Sequence, residues 1–404
     1  MANLEEYEFR PANDNEMAQV IRLGNYVFSE SPLEDAPPHP LRPEWSQCAF
    51  HGRNLAAISG AYPFVVCLNG KKARLQGVTL VGTEPAYRRR GLVRRLITDL
   101  LHRGKADGEV ASILLASRGA IYQRFGYGLA STGTAYEFDP REAVLREAFN
   151  DSGYLQRMGK QEAYPLITAI FKSYVKERNL MALRDESIWN RFLADVEKEK
   201  AHCLVHFDDA HQADGYCLYR TTQIQGANQT MDILDFAYTS LTAYKSLWHS
   251  LTSHDLVLTI KWFDAPQDDP APGLLLEPRC LKPRTRDGMW MRVIDVAGML
   301  AARRYDVDGD ISIAIKDDEI CPWNNGTYQV TVRKGEAKVS SGDSIDETAQ
   351  IVCSINAFAS MVSGHARPTW LHQIGLVQVA DASDLARHDQ LFATRYRPAM
   401  SFGF

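Results

Sequence analysis

The chain has 404 residues, of which 45% are hydrophobic and 24% charged, with a formal net charge of −5. This balance fits two to four folded domains and excludes both a disordered polymer and a protein drawn to nucleic acid by bulk positive charge. No apolar run approaches the ~20 residues of a membrane span, and residues 1–10 are acidic where a signal peptide would be basic and then apolar, so no membrane partner and a cytoplasmic location are expected, secretion by other routes left open.

Asn13 and Asp14 can cap a helix whose apolar positions are Met17, Val20, Ile21 and Tyr26. Residues 31–43 are proline-rich and carry Glu34 and Asp35, which predicts a surface loop. Strands are expected over 46–51 and 55–68, then a two-residue hairpin at Asn69-Gly70, then a strand that runs to Thr83 and stops at Glu84-Pro85. Three arginines, 88 to 90, and Gly91 follow. Leu92, Val93, Leu96, Ile97, Leu100 and Leu101 then recur at the spacing of one helical face, so the arginine loop opens a helix over 91–103. A strand over 113–117, a short helix near Tyr122 and a closing strand over 134–138 complete a mixed α/β unit.

Residues 160–288 repeat that order in degraded form. Helices are expected over 164–176, 187–198 and 241–251, with strands over 203–206, 216–220, 233–238 and 256–263. Where the first unit has its arginine loop, this one reads Tyr238-Thr-Ser-Leu-Thr-Ala-Tyr244, without a phosphate cradle. A third region starts near Trp290. Helices are expected over 296–303, 357–362 and 383–391, and strands over 311–315, 328–332 and 337–339, with Lys334-Gly335 in the last turn.

The arginine loop carries the clearest chemistry. A helix start leaves amide N–H groups unpaired and its dipole favours negative charge, while guanidinium groups grip two phosphate oxygens at once. The combination suits a pyrophosphate. Neither G-x-x-x-x-G-K-[ST] nor G-x-G-x-x-G occurs here, so a Walker loop and a dinucleotide fingerprint are excluded at this loop. A bare Arg-Arg-Arg-Gly would more often be a solvated turn. The strand before it, the helix after it and the run Ile121-Tyr-Gln-Arg-Phe-Gly-Tyr-Gly128 downstream argue against that.

Together, residues 78–93, Ala111-Ser-Ile-Leu-Leu-Ala-Ser117 and the 121–128 run resemble the GNAT superfamily of N-acetyltransferases, and within it the group of the mycobacterial enhanced intracellular survival proteins. The resemblance implies tandem GNAT folds in mixed α/β sheets followed by a sterol-carrier-like α/β domain, divided as 1–155, 156–288 and 289–404. It implies acetyl-CoA as cosubstrate, held by Arg88, Arg89, Arg90, Gly91, Leu92, Val93 and Arg94 at the pyrophosphate. Backbone groups of Val81, Gly82 and Thr83 would serve the thioester and pantetheine, and Ser117 and Arg118 would add contacts. Val93 departs from the superfamily pattern, where glycine or alanine is usual. The second GNAT fold would bind no cofactor, and the assembly would be a hexamer built as a dimer of trimers.

Acetyl transfer to an amine needs a base for the ammonium and an acid for the leaving thiolate. Tyr122 stands where the superfamily places its acid, and a phenol suits that task; the plain alternative is a packed core aromatic, which is the reading for Tyr127. The tail ends Met400-Ser-Phe-Gly-Phe404, apolar where a free terminus is normally polar and frayed, so it is expected to dock. In the resembled group the terminal carboxylate is the base, which makes Phe404 the counterpart here. Glu34, Asp35 and Trp45 are candidates for the acceptor amine, which the sequence leaves open among aminoglycoside, lysine and polyamine types. The seven cysteines are odd in number and include no C-x-x-C, so no disulfide framework, metal site or cysteine nucleophile is expected. A lipid carrier or interaction scaffold with a relic acetyltransferase domain is the alternative function.

Overall fold

In the computed structural model, which describes residues 4–29 and 39–404, Asn13 caps as its position predicts. Its side chain accepts from the amides of Asn15 and Glu16, Glu16 reaches back to the Asn13 amide, and the helix Met17–Phe28 follows. The described chain forms two units. One gathers the residues as far as Ser131 with Met289–Pro398 and Gly403–Phe404; the other gathers Thr132–Gly288 with Ala399–Phe402.

The first unit holds a sheet whose strands run in the order Glu8–Arg10, Ser46–His51, Asn54–Leu68, Lys71–Thr83, Ala111–Leu115, Met289–Val293 and Gly128–Leu129. Asn69 and Gly70 take φ +47 and +95, the left-handed pair that a two-residue hairpin demands. The helix Leu92–Ala106 carries the chain between two parallel strands, and Leu92, Leu96, Ile97, Leu100 and Leu101 are buried on its inner face. Each such side chain contributes about 1.5–3 kcal/mol by leaving water.

One expected strand belongs elsewhere. The segment Thr132–Phe138, read from sequence as closing the first sheet, pairs instead with Val257–Pro266 and Arg284–Asp287 in the second unit. The first sheet is closed by Met289–Val293, which pairs with both Ala111–Leu115 and Gly128–Leu129. Arg292 on that strand is fully buried, paired with Asp318 at 2.5 Å and donating to the Val293 carbonyl at 2.7 Å. Strand pattern says that a segment will join a sheet, not which sheet, because the partners lie far away in the chain.

The second unit has the strand order Arg284–Asp287, Thr132–Phe138, Val257–Pro266, Asn228–Tyr238, Ala213–Gln225, His202–Phe207 and Tyr154–Met158. Helices Lys160–Val175, Glu186–Glu197 and Leu241–Thr252 accompany it, close to the expected positions. The third region folds within the first unit as a sheet ordered Glu336–Gly342, Gly326–Arg333, Gly309–Lys316, Ile351–Ser354 and Val377–Val379. Among the described residues no helix is long and apolar enough to cross a membrane.

Candidate active site

The two edges of Lys71–Thr83 differ. One pairs with Asn54–Leu68, with a bulge where Thr79 faces Gly60 and Gly82 faces Ile58, and Leu80 takes φ +49. On the other edge, parallel pairing with Ala111–Leu115 covers only Leu75–Gly77 against Ala111–Ile113. Beyond Gly77 the strands part. Backbone groups of residues 78–83 that face this edge are thereby left outside the ladder with Ala111–Leu115.

The loop that follows bends through left-handed residues, Arg89 at φ +63 and Gly91 at φ +85. Among the described residues no side chain caps the helix that Gly91 precedes, and a Cβ at Gly91 would meet none of their atoms within 4 Å. Arg95 donates to the Gly91 carbonyl at 3.2 Å, so the amides of Leu92, Val93 and Arg94 are orphan donors of a helix start. An uncapped, roomy helix start of this kind fits a pyrophosphate. Val93 does not obstruct it, because its side chain packs into the apolar cluster of Ile97, Leu100 and Tyr122.

The arginines are differently engaged. Arg88 and Arg89 are exposed, and Arg88 Nε points to the Thr83 carbonyl at 3.5 Å. Arg90 braces the loop from within: it donates to the Tyr7 hydroxyl at 2.9 Å and the Ala86 carbonyl at 3.0 Å, and lies 5.2 Å from the Tyr87 ring centre. Arg94 pairs with Glu319 at 3.2 Å. Ser117 and Arg118 are exposed between the strand Ala111–Leu115 and the short helix Gly119–Gln123.

Tyr122, on that short helix, is 6% exposed and packs edge-on against Tyr127 at 5.8 Å. Its hydroxyl has no hydrogen-bond partner among the described residues, whereas the Tyr127 hydroxyl is tied to Ser112 Oγ at 2.7 Å. Burial pushes the Tyr122 phenol up, which keeps its proton on. The short helix is braced by Asn356, whose side-chain amide donates to the carbonyls of Gln123 and Tyr127, each at 2.8 Å. Burial also pushes the Cys321 thiol, in the same cluster, up to about 12, so it is no nucleophile at neutral pH.

Phe404 lies where the strands part. Its ring meets Phe64 edge-on at 4.9 Å and Tyr62 at 6.4 Å, and a Cβ on Gly77 would come within 2.9 Å of it. Trp45 stands edge-on to Tyr62 at 5.9 Å, with the Arg42 guanidinium 4.7 Å from the indole centre. One apolar cluster brings Tyr122 together with Val81 of the strand and Val93 of the helix start, and Phe404 lies in the same unit against Phe64 and beside Gly77. Glu34 and Asp35 lie outside the described residues. Sequence reasoning missed Tyr62, Phe64 and Asn356: the first two read as ordinary strand residues, and Asn356 gave no local signal, since its partners lie more than 200 positions away.

The acetyltransferase (GNAT) domain family matches residues 8–130, a second acetyltransferase (GNAT) family matches 180–293, and the sterol carrier protein domain matches 296–401. An uncharacterized N-acetyltransferase of Streptomyces coelicolor is 27% identical over 357 residues, 86% of this chain and 85% of its own. The N-acetyltransferase Eis of Mycobacterium tuberculosis is 27% identical over 336 residues, 81% of this chain and 80% of its own. The crystal structure of Eis1 from Mycobacterium abscessus superposes with a TM-score of 0.83 at 24% identity, over 98% of this chain and 100% of that one. A GCN5-related N-acetyltransferase from Anabaena variabilis reaches 0.87 at 20% identity with the same coverage.

Proposed function

The chain belongs to the GNAT N-acetyltransferases, and from that premise we propose that it transfers acetyl from acetyl-CoA to a primary amine by direct attack in a ternary complex, with the terminal carboxylate of Phe404 as base and Tyr122 as acid. The observation that carries this reading is the seat of the Phe404 ring on Phe64, beside Gly77, at the point where the strands part. Acetyl-CoA supplies an acetyl group activated as a thioester.

The chain's own groups have distinct tasks. Amides from Gly91 to Arg94, with the guanidinium groups of Arg88 and Arg89, hold the pyrophosphate, while Arg90 keeps the loop in shape. Backbone groups of Val81, Gly82 and Thr83 bind the pantetheine and polarise the carbonyl, and Ser117 and Arg118 add contacts at the facing strand's end. The Phe404 carboxylate takes a proton from the substrate ammonium, so that the nitrogen lone pair is free to attack. Tyr122 holds a proton at its phenol oxygen for the departing sulfur, and burial keeps that proton in place.

The aromatic surroundings of Phe404, with Tyr62, Phe64 and Trp45, favour a cationic acceptor wherever a ring face is turned to it. Gly403 stands before the terminus where an acidic residue would add attraction for a polycation, so the acceptor class spans aminoglycoside, lysine and polyamine amines. In this reading residues 1–155 are the catalytic domain, 156–288 a GNAT-like domain without cofactor and 289–404 the sterol-carrier-like domain. They act in the cytoplasm as a hexamer made of two trimers. Coenzyme A release, followed with an aminoglycoside, a lysine peptide and spermidine, tests the reaction: turnover with one supports it, and no turnover together with no acetyl-CoA binding overturns it.

A further inference from the structure

The second unit repeats, at one place, the geometry by which the first unit opens. Its strand Asn228–Tyr238 runs parallel to Val257–Pro266 only as far as Ile233 and Trp262. A bulge follows at once, since Ile233 faces Tyr219 and Asp235 faces Leu218, leaving Leu234 extra. By topology this is the cleft that lies beyond Gly77 in the first unit. No arginine loop stands beside it; the Ser240 hydroxyl caps the helix start by accepting from the Ala243 amide at 3.0 Å.

What occupies this second cleft is the chain's own end. Leu234, Asp235 and Phe236 on one strand and Trp262 and Pro266 on the other line the same space as Ala399, Met400 and Ser401, and about 20 Å³ of cavity is left, room for one water. The contacts are built rather than incidental. The Ala399 amide donates to the Asn179 carbonyl at 3.0 Å. Arg184, with no side-chain exposure, grips Asp235 at 2.5 and 2.9 Å and donates to Ser401 Oγ at 2.9 Å. Asp235 also accepts from the Tyr216 hydroxyl at 2.6 Å. The ring centres of Phe171 and Phe192 lie 3.9 and 4.0 Å from the Arg184 guanidinium carbon, and the Phe402 ring meets Phe192 edge-on at 6.2 Å. A buried ion pair is costly unless further hydrogen bonds complete it, and here the tail supplies one of them.

We infer that the second acetyltransferase fold is a binding site for the chain's own C-terminal segment, Ala399–Phe402, and that Arg184 is a positioning residue for the terminal carboxylate. Two residues beyond a fixed Phe402 span at most about 7 Å, so anchoring the segment confines the carboxylate to a small volume and raises its effective concentration. A cleft that holds a cofactor in one copy of the fold holds a peptide in the other. The effect on rate rests on the reading of Phe404 as base; the docking itself does not.

Ser401→Ala and Phe402→Ala test this in the full chain while leaving the Arg184–Asp235 pair whole. Carboxypeptidase release of the terminal phenylalanine is timed for each, beside saturation kinetics with acetyl-CoA and an amine that turns over. The expected result is release faster by about tenfold, as for a locally opened segment, with kcat reduced by a similar factor and the KM for acetyl-CoA unchanged. Arg184→Met should match them both in release and in loss of kcat. Unchanged release in both tail variants overturns the docking site. Faster release with unchanged kcat leaves the dock standing and overturns the positioning role, while Phe404 as base falls separately if the chain shortened by that residue keeps its kcat.

Discussion

Tyr122 and Tyr127 lie five positions apart and both are buried, yet the Tyr127 hydroxyl is tied to Ser112 and that of Tyr122 has no hydrogen-bond partner among the described residues. That difference supports the proposal of Tyr122, not Tyr127, as the acid. Tyr122→Phe removes one oxygen from a packed site, so stability should change little while kcat falls by about 10²-fold or more, with the KM for acetyl-CoA nearly unchanged. Tyr127→Phe, by contrast, strands the Ser112 hydroxyl and should lower the melting temperature with little change in kcat. At the other end of the chemistry, deleting Phe404 or adding residues after it moves or removes the carboxylate. Either change should lower kcat by about 10²-fold, and steady-state kinetics with a saturating amine checks both.

At the scale of elements, the site is two openings beside each other: a strand edge released from its ladder and a helix start left uncapped. Arg88→Ala and Arg89→Ala act on the second. Each removes a charge-assisted contact of about 1.5–3 kcal/mol, so the KM for acetyl-CoA should rise at least tenfold, with kcat at saturation held and a weaker dependence on salt. Gly77→Ala acts on the first, where the added methyl would press on the rings of Phe64 and Phe404. Overpacking there should cost about 1–3 kcal/mol in unfolding experiments and lower kcat by unseating the tail. The helix, the arginine loop and the hairpin were legible because their signals are local: a 3.6-residue period, a run of charge, Asn-Gly. The bulge at Leu80 and the end of pairing at Gly77 were not, since both depend on the register of distant strands.

For the molecule as a whole, two acids, the buried Glu109 and the half-buried Asp269, tie stability to pH. Burial pushes Glu109 from 4.5 up to about 7, and burial likewise pushes Asp269 from 3.8 up to about 7, although the Tyr244 hydroxyl and the Ala271 amide donate to its carboxyl. An acid whose folded pKa lies above its unfolded value favours the fold while protonated. Its contribution is full below about 4.5 and is lost as pH rises to about 7. Glu109→Gln keeps the neutral shape, so its melting temperature relative to the parent should rise between pH 5 and pH 8, by an amount equivalent to at most about 3 kcal/mol. A difference that stays flat over that range would contradict the buried, protonated state.

The sequence by itself determined the layout of three acetyltransferase- and carrier-like stretches, the arginine loop with its helix, and Tyr122 and Phe404 as the residues to watch. The loop and its helix rest on a pattern contained within a few turns of chain, while the layout and the roles of Tyr122 and Phe404 rest on the family resemblance that those local motifs carry. Only the tertiary structure decided that Thr132–Phe138 and Met289–Val293 serve different sheets than their order suggests, that Arg90 braces the loop from inside, and that Arg184 meets the tail. Those facts depend on residues that are far apart in the chain and close in space, and the free energy that selects among such pairings is shared over the whole core.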